Sequence, residues 1–225
     1  EENGGIKRLS AEELKNNVVD IENNVFNYDG SHRMNIDDFN GRLYLTGTNQ
    51  TEENGNLGPT LIFDIKTDPM NLKILAELYQ SNGTVQYSHC CAFETYNKAE
   101  QMSLLGIPEE STKDVLRLYV GFNGGSYIEL WDVTDTNNCF SISLGSNIED
   151  ANATPATYKI WENYDTGYSH SGRFTTDKRY LFSEDEGRTD NNMALMRLFW
   201  HAESSQLRLK EAQIIPHEGR YSGQH

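Results

Sequence analysis

The amino-acid sequence predicts an all-β fold made of repeated four-stranded units. Three observations carry that expectation. Aromatic residues make up 11% of the chain, with 12 Tyr, 9 Phe and 3 Trp, and such side chains favour strands over helices. Short apolar runs alternate with turn residues at intervals of about ten positions, a spacing that suits a sandwich, barrel or propeller. A segment opening on Ser-His also recurs three times. The 225 residues can form one large domain or two small ones, and no composition shift marks a boundary, so one domain behind an N-terminal extension is expected.

Residues 1–28 are that extension. Ser10-Ala11-Glu12-Glu13 is a capping box, with Ser10 as N-cap and Glu13 at the third helical position, and Leu9 is placed to staple against Leu14. The short helix should fade by Asn16 and Asn17, because Val18, Val19 and Ile21 suit extended chain better. The repeat domain, residues 29–225, then reads as strands. Arg42–Thr46 alternates behind the Asn40-Gly41 turn signal, and Thr60–Ile65 and Leu72–Leu78 follow. Next come Cys91–Thr95, Val115–Val120, Tyr127–Val133 and Phe140–Leu144. The remaining strands are Thr157–Trp161, Arg173–Thr175, Arg179–Ser183, Ala194–Trp200 and Leu207–Ile214. The polar stretch 97–114, helix-compatible from Glu100 to Leu105, reads as an insertion between two strands.

The repeat gives the strands an order. Ser31-His32, Ser88-His89 and Ser169-His170 each run into a short strand, a turn and a second strand carrying Tyr. A third strand with Asp follows in two cases, Leu61-Ile62-Phe63-Asp64-Ile65 and Glu129-Leu130-Trp131-Asp132-Val133. A more variable fourth strand closes each unit. Four strands per repeat is the arithmetic of β-propeller blades, placed at about residues 29–80, 81–155 and 156–225. The chain stops at Gln224-His225, where a fourth Ser-His-like start would fall.

The run Tyr168-Ser169-His170-Ser171-Gly172-Arg173-Phe174-Thr175-Thr176-Asp177-Lys178-Arg179-Tyr180, followed by Ser183-Glu184-Asp185-Glu186, resembles a blade of the LVIVD-repeat propellers of choice-of-anchor B proteins. Trp131-Asp132-Val133-Thr134-Asp135 is similar to that family's Asp-bearing strand. The likeness covers residues 60–190 and leaves out the first 30. It implies an extracytoplasmic propeller held to a surface by varied anchors, with no catalytic activity. Two departures qualify it. The third repeat has Leu198-Phe199-Trp200-His201 in place of the Asp strand, and three blades cannot close a ring. The ring would be completed by further chain, by another subunit, or not at all.

Composition excludes several functions. A net charge of −15 repels phosphate backbones and anionic membrane surfaces, so neither nucleic acid nor membrane insertion is expected, and cations or basic partners are the natural counterparts. No apolar run approaches the roughly eighteen residues of a membrane span. The start, Glu1-Glu2-Asn3-Gly4-Gly5, is no signal peptide and lacks Met, which suggests a processed or truncated end. Sequons at Asn49, Asn82 and Asn152 permit glycosylation and an extracellular or cell-surface location. Cys90, Cys91 and Cys139 form neither a disulfide framework nor a zinc spacing. One bridge from Cys139 to Cys90 or Cys91, or three buried thiols, remain open.

Two groups of residues are candidate sites. His32, His89 and His170, with His225 as a fourth, would converge at the centre of a propeller if they hold equivalent blade positions. There they would either bind a transition metal or fix blade geometry by hydrogen bonds. Glu184, Asp185, Glu186 and Asp190 form an acidic loop whose oxygens suit Ca²⁺, although the spacing is not an EF-hand, and a solvated turn is the alternative. Asp64, Asp68, Asp132 and Asp135 recur after strands, where Asp makes Asx-turns. Trp131, Trp161, Tyr164, Tyr168 and Trp200 serve either the core or a sugar-stacking surface. Adjacent Ser-His pairs point to opposite faces of a strand, and no nucleophile elbow, P-loop or zinc-protease motif is present, so no enzyme is expected. The expected function is extracellular interaction or assembly, as a structural subunit associating with itself or other proteins. A monomeric carbohydrate- or Ca²⁺-binding propeller is the second reading, and a hydrolase the third.

Overall fold

Period-two alternation organises the described residues into three four-stranded antiparallel sheets. The structure is a computed structural model and describes residues 28–50, 58–68, 72–78, 88–122, 128–142, 169–185, 192–203 and 205–216. The first sheet contains β2 (Arg33–Asp37), β3 (Arg42–Thr46), β5 (Thr60–Asp64) and β6 (Lys73–Leu78) in that order. The second runs β7 (Cys90–Asn97), β8 (Val115–Phe122), β9 (Ile128–Asp132) and β10 (Phe140–Ser141). The third runs β11 (Ser169–Phe174), β12 (Tyr180–Asp185), β13 (Asn192–His201) and β14 (Gln206–Pro216). Each sheet is a meander of consecutive strands, grouped as the Ser-His repeat predicts. A small ladder joins β1 (Tyr28–Gly30) to β4 (Asn49–Gln50), which the sequence does not announce. The expected helix at Ser10 and the strand Thr157–Trp161 lie outside the described residues.

The second sheet is covered on both faces. Leu118, Val120 and Phe122 of β8 face one way, into a core shared with Leu181, Ala194, Met196 and Leu198 of the third sheet. Tyr119 faces the other way, into a core shared with Tyr44, Ile62 and Leu78 of the first. The adjacent cysteines split in the same manner, Cys90 into the former core and Cys91 into the latter.

The two interfaces differ in chemistry. Between the first and second sheets the core is small and bounded by polar bonds. The Thr60 hydroxyl meets the Tyr119 hydroxyl at 2.8 Å, Thr46 Oγ1 donates to the His89 carbonyl at 3.1 Å, and Arg42 Nη1 donates to the Val133 carbonyl at 2.7 Å. All three bonds are buried, where an unmade bond costs more than a made one gains. Between the second and third sheets the core is larger and apolar, and one lysine closes its edge. Lys178, in the β11–β12 turn at φ 60°, places its ammonium 3.4 Å from Glu94, 3.1 Å from Glu100 and 2.7 Å from the Thr95 carbonyl. The Tyr96 hydroxyl donates to the Lys178 carbonyl at 2.9 Å in return.

The 97–114 excursion is an insertion, as expected, but its helix starts earlier than the sequence reading placed it. Helix α1 spans Lys98–Leu105, because Asn97 and Glu100 form a reciprocal capping box. Gln101, fully buried, ties the insertion down by donating to the Tyr96 and Lys113 carbonyls and accepting from the Lys113 N–H. Leu105 and Ile107 add to the apolar core. Among the described residues no helix is long and apolar enough to cross a membrane.

Two substitutions test this packing. A Cβ at Gly172 would meet the Phe182 carbonyl oxygen and the Phe122 ring, both fixed. Gly172→Ala should therefore cost about 1–3 kcal/mol of unfolding free energy, measured by urea denaturation. Lys178→Met should cost about 1–2 kcal/mol near neutral pH, because its pairs are only partly buried. Burial pushes the Glu100 carboxyl up, but the Asn97 N–H and the Lys178 ammonium more than offset it, so the group sits below the ordinary 4.5. A depressed carboxyl stabilises the fold above its unfolded pKa and stops doing so as pH falls through the folded one. The gap between wild type and Lys178→Met should accordingly narrow as pH drops below 4.5.

Candidate functional site

The repeat puts one histidine at the start of the first strand of each sheet, and packing brings the three together. His32 immediately precedes β2, His89 immediately precedes β7, and His170 is the second residue of β11. Their rings form a column, with His89 in the middle. Its centroid lies 3.8 Å from that of His32 and 4.3 Å from that of His170, at tilts of 43° and 44°. His89 is buried, His170 half-buried and His32 exposed. Backbone bonds hold the column: His32 N–H donates to the Thr46 carbonyl at 2.8 Å and His89 N–H to the Phe122 carbonyl at 2.7 Å.

Convergence was expected, and the column is a stack rather than a chelate. Imidazoles sharing one tetrahedral ion at about 2.1 Å place their centroids roughly 5 Å apart. Both observed separations are shorter. Among the described residues no group of three His, Cys, Asp or Glu side chains is placed to hold a metal ion. His225 lies outside the described residues.

The strands that begin at the column continue along an open cleft of about 730 Å³. Its walls are the first strands of all three sheets, with the neighbouring part of β12. Each of β2, β7 and β11 is the terminal strand of its sheet, so the cleft runs along three strand edges. Arg33 enters from β2 and Arg173 from β11, with Cys90, Cys91 and Gly172 between them. Asn35 donates its side-chain N–H to the Cys91 sulfur at 3.0 Å. The cleft carboxylates are already engaged: Glu94 holds Lys178, and Glu184 accepts from the Ser171 hydroxyl at 3.0 Å.

The three cysteines are unpaired, Cys90 and Cys91 buried and Cys139 half-buried, so not all three are the buried thiols that the sequence offered as one alternative. Cys90 and Cys91 face opposite sides of one strand and are buried. Burial pushes both thiols up, that of Cys91 far up, and raises Cys139 to about 11. None is poised as a thiolate nucleophile.

Of the acidic loop, Glu184 is exposed at the cleft and Asp185 ends β12, while Glu186 and Asp190 lie outside the described residues. Three of the four recurring aspartates make the expected turn bonds. Asp64 accepts from the Lys66 and Thr67 N–H groups, Asp132 from Thr134 and Asp135 from Asn137. The Asp64 carboxyl is held below its ordinary value by the Thr67 side-chain and backbone bonds. Of the aromatic candidates, Trp131 is buried between the first and second sheets and Trp200 packs on the larger core. Trp161, Tyr164 and Tyr168 lie outside the described residues. Of the sequons, Asn49 falls in β4, and Asn82 and Asn152 lie outside the described residues.

Sequence reasoning missed Arg33 and Arg173. Each stands one and three residues after a repeat histidine, but nothing in one sequence says that two different sheets bring them to one cleft. No family model matches this chain, and no curated protein matches it.

His89→Ala should open a void between two rings and cost about 2 kcal/mol, the low end of large-to-small core changes, with a matching fall in Tm. Zinc added at one equivalent should leave the wild-type Tm where it is. A saturable rise that His89→Ala abolishes would instead assign the column to a metal.

Proposed function

We propose that this chain is a non-catalytic interaction module of propeller type, acting outside the cell as a structural subunit that associates with further copies of itself. The observation that carries the reading is an unfinished face on the first sheet. Tyr44 and Ile62 cover the face towards the second sheet. On the opposite face Leu43, Leu61 and Phe63 are buried, but Met34 remains 57% exposed, Ile36 51%, and Phe39 in the adjoining turn 81%. Exposed large apolar groups in one patch mark contact surfaces.

A second copy of the chain fits that face. The third sheet turns Leu181, Met196 and Leu198 towards the second sheet and Phe182, Leu195 and Phe199 away from it. Packing that outward side on the first sheet of the next copy repeats the step by which the sheets already follow one another. Two copies supply six sheets, within the roughly four to eight blades of closed propellers. The same head-to-tail contact runs on as a fibre if the rotation does not close. The LVIVD-like motif residues and the sequons agree with an extracellular setting, and the buried thiols and stacked histidines supply no nucleophile for turnover.

Light scattering on the full chain tests this. The mass should be a whole-number multiple of 25.6 kDa at micromolar concentration. Replacing Met34, Ile36 and Phe39 together by Ser should reduce it to one chain while leaving the circular dichroism unchanged. A wild type that stays monomeric overturns the reading and leaves a self-contained binding protein.

A further inference from the structure

The cleft is lined by two arginines, Arg33 and Arg173, and by two carboxylates, Glu94 and Glu184. Its volume of about 730 Å³ lies within the range of small-molecule sites. Among the described residues neither Arg33 nor Arg173 makes an ion pair or a side-chain hydrogen bond, in a chain whose net charge is −15. The two carboxylates that line the cleft have other partners, Glu94 in an ion pair with Lys178 and Glu184 as acceptor from the Ser171 hydroxyl. Arg33 reaches the cleft from β2 of the first sheet and Arg173 from β11 of the third, so both line one cavity. Phe93 and Phe174, both half-buried, add apolar surface along the cleft.

We infer that this cleft is a binding site for a small organic oxyanion, gripped by Arg33 and Arg173 from opposite walls with its apolar body against Phe93 and Phe174. Guanidinium forks match the planar oxygens of carboxylate and the tetrahedral ones of phosphate or sulfate. The site draws on residues of all three sheets, so it exists only in the folded domain.

The test uses the full chain at constant ionic strength made up with sodium chloride, which removes general salt effects. Inorganic phosphate and phenylacetate are titrated separately to about 10 mM, ten times a millimolar Kd. Binding is followed by Tm and by the amide shifts of Ala92 and Gly172 in NMR spectra. A saturable response to at least one probe is expected, phosphate alone indicating a phosphorylated or sulfated ligand and phenylacetate a carboxylate. Arg33→Gln and Arg173→Gln should each weaken it by about tenfold or more, the usual size of one charged hydrogen-bonding group, and the double variant should abolish it. Arg179→Gln, an exposed arginine at the β11–β12 turn, should bind as wild type does. Because Arg33 and Arg173 are exposed, the variants should melt near the wild-type Tm in chloride. No saturable response to either probe overturns the inference, as does a response that survives the double substitution.

Discussion

The second sheet has apolar side chains on both faces and therefore must be covered on both. Residues 118, 120 and 122 of β8 need one partner surface and residue 119 needs another. A strand with this pattern is stable only inside a stack of sheets. The first and third sheets are those partners, and their spacing sets where the three terminal strands, the histidine column and the cleft must lie. Side chains such as Leu118, Val120 and Phe122 are almost wholly removed from water, each contributing about 1.5–3 kcal/mol before entropy is counted.

Apolar burial alone would leave the sheets free to slide, and polar bonds fix their registration. The Thr60–Tyr119, Thr46–His89 and Arg42–Val133 contacts each satisfy a buried group from one sheet with a group of the next. A shift by one residue would strand several of these groups without water or partner. At the other interface Lys178 does the equivalent work with charge, joining the β11–β12 turn to Glu94 on β7 and Glu100 on α1. The insertion thus becomes part of the domain, with Gln101 bonding it from beneath.

The histidine column and the arginine cleft are two outcomes of one geometry. Equivalent starts of three strands meet at one end, where ring stacking uses the flat faces of the imidazoles. Beyond that end the strands diverge and leave a cleft whose edges belong to no further strand within their sheets.

The sequence by itself determined most of the described strands, their grouping in fours and three of the Asx-turns. These depend on alternation, turn chemistry and spacing, which are local. The recurring Ser-His start also placed the three histidines near the beginning of each sheet's first strand, His32 and His89 just before it and His170 second within it. The sequence reading placed the helix start at Glu100 and missed the Asn97 cap, because Asn97 is at once the last residue of β7 and the N-cap of the helix. The acidic loop drew attention through its composition, and of it the structure shows Glu184 accepting from the Ser171 hydroxyl. Only the tertiary structure decided that the imidazoles stack instead of chelating, that Cys90 and Cys91 enter different cores, and that Arg33 and Arg173 share a cleft. Those outcomes depend on distances between sheets of a few ångströms, set by the volumes of side chains far apart in the sequence, and no local pattern encodes such a distance.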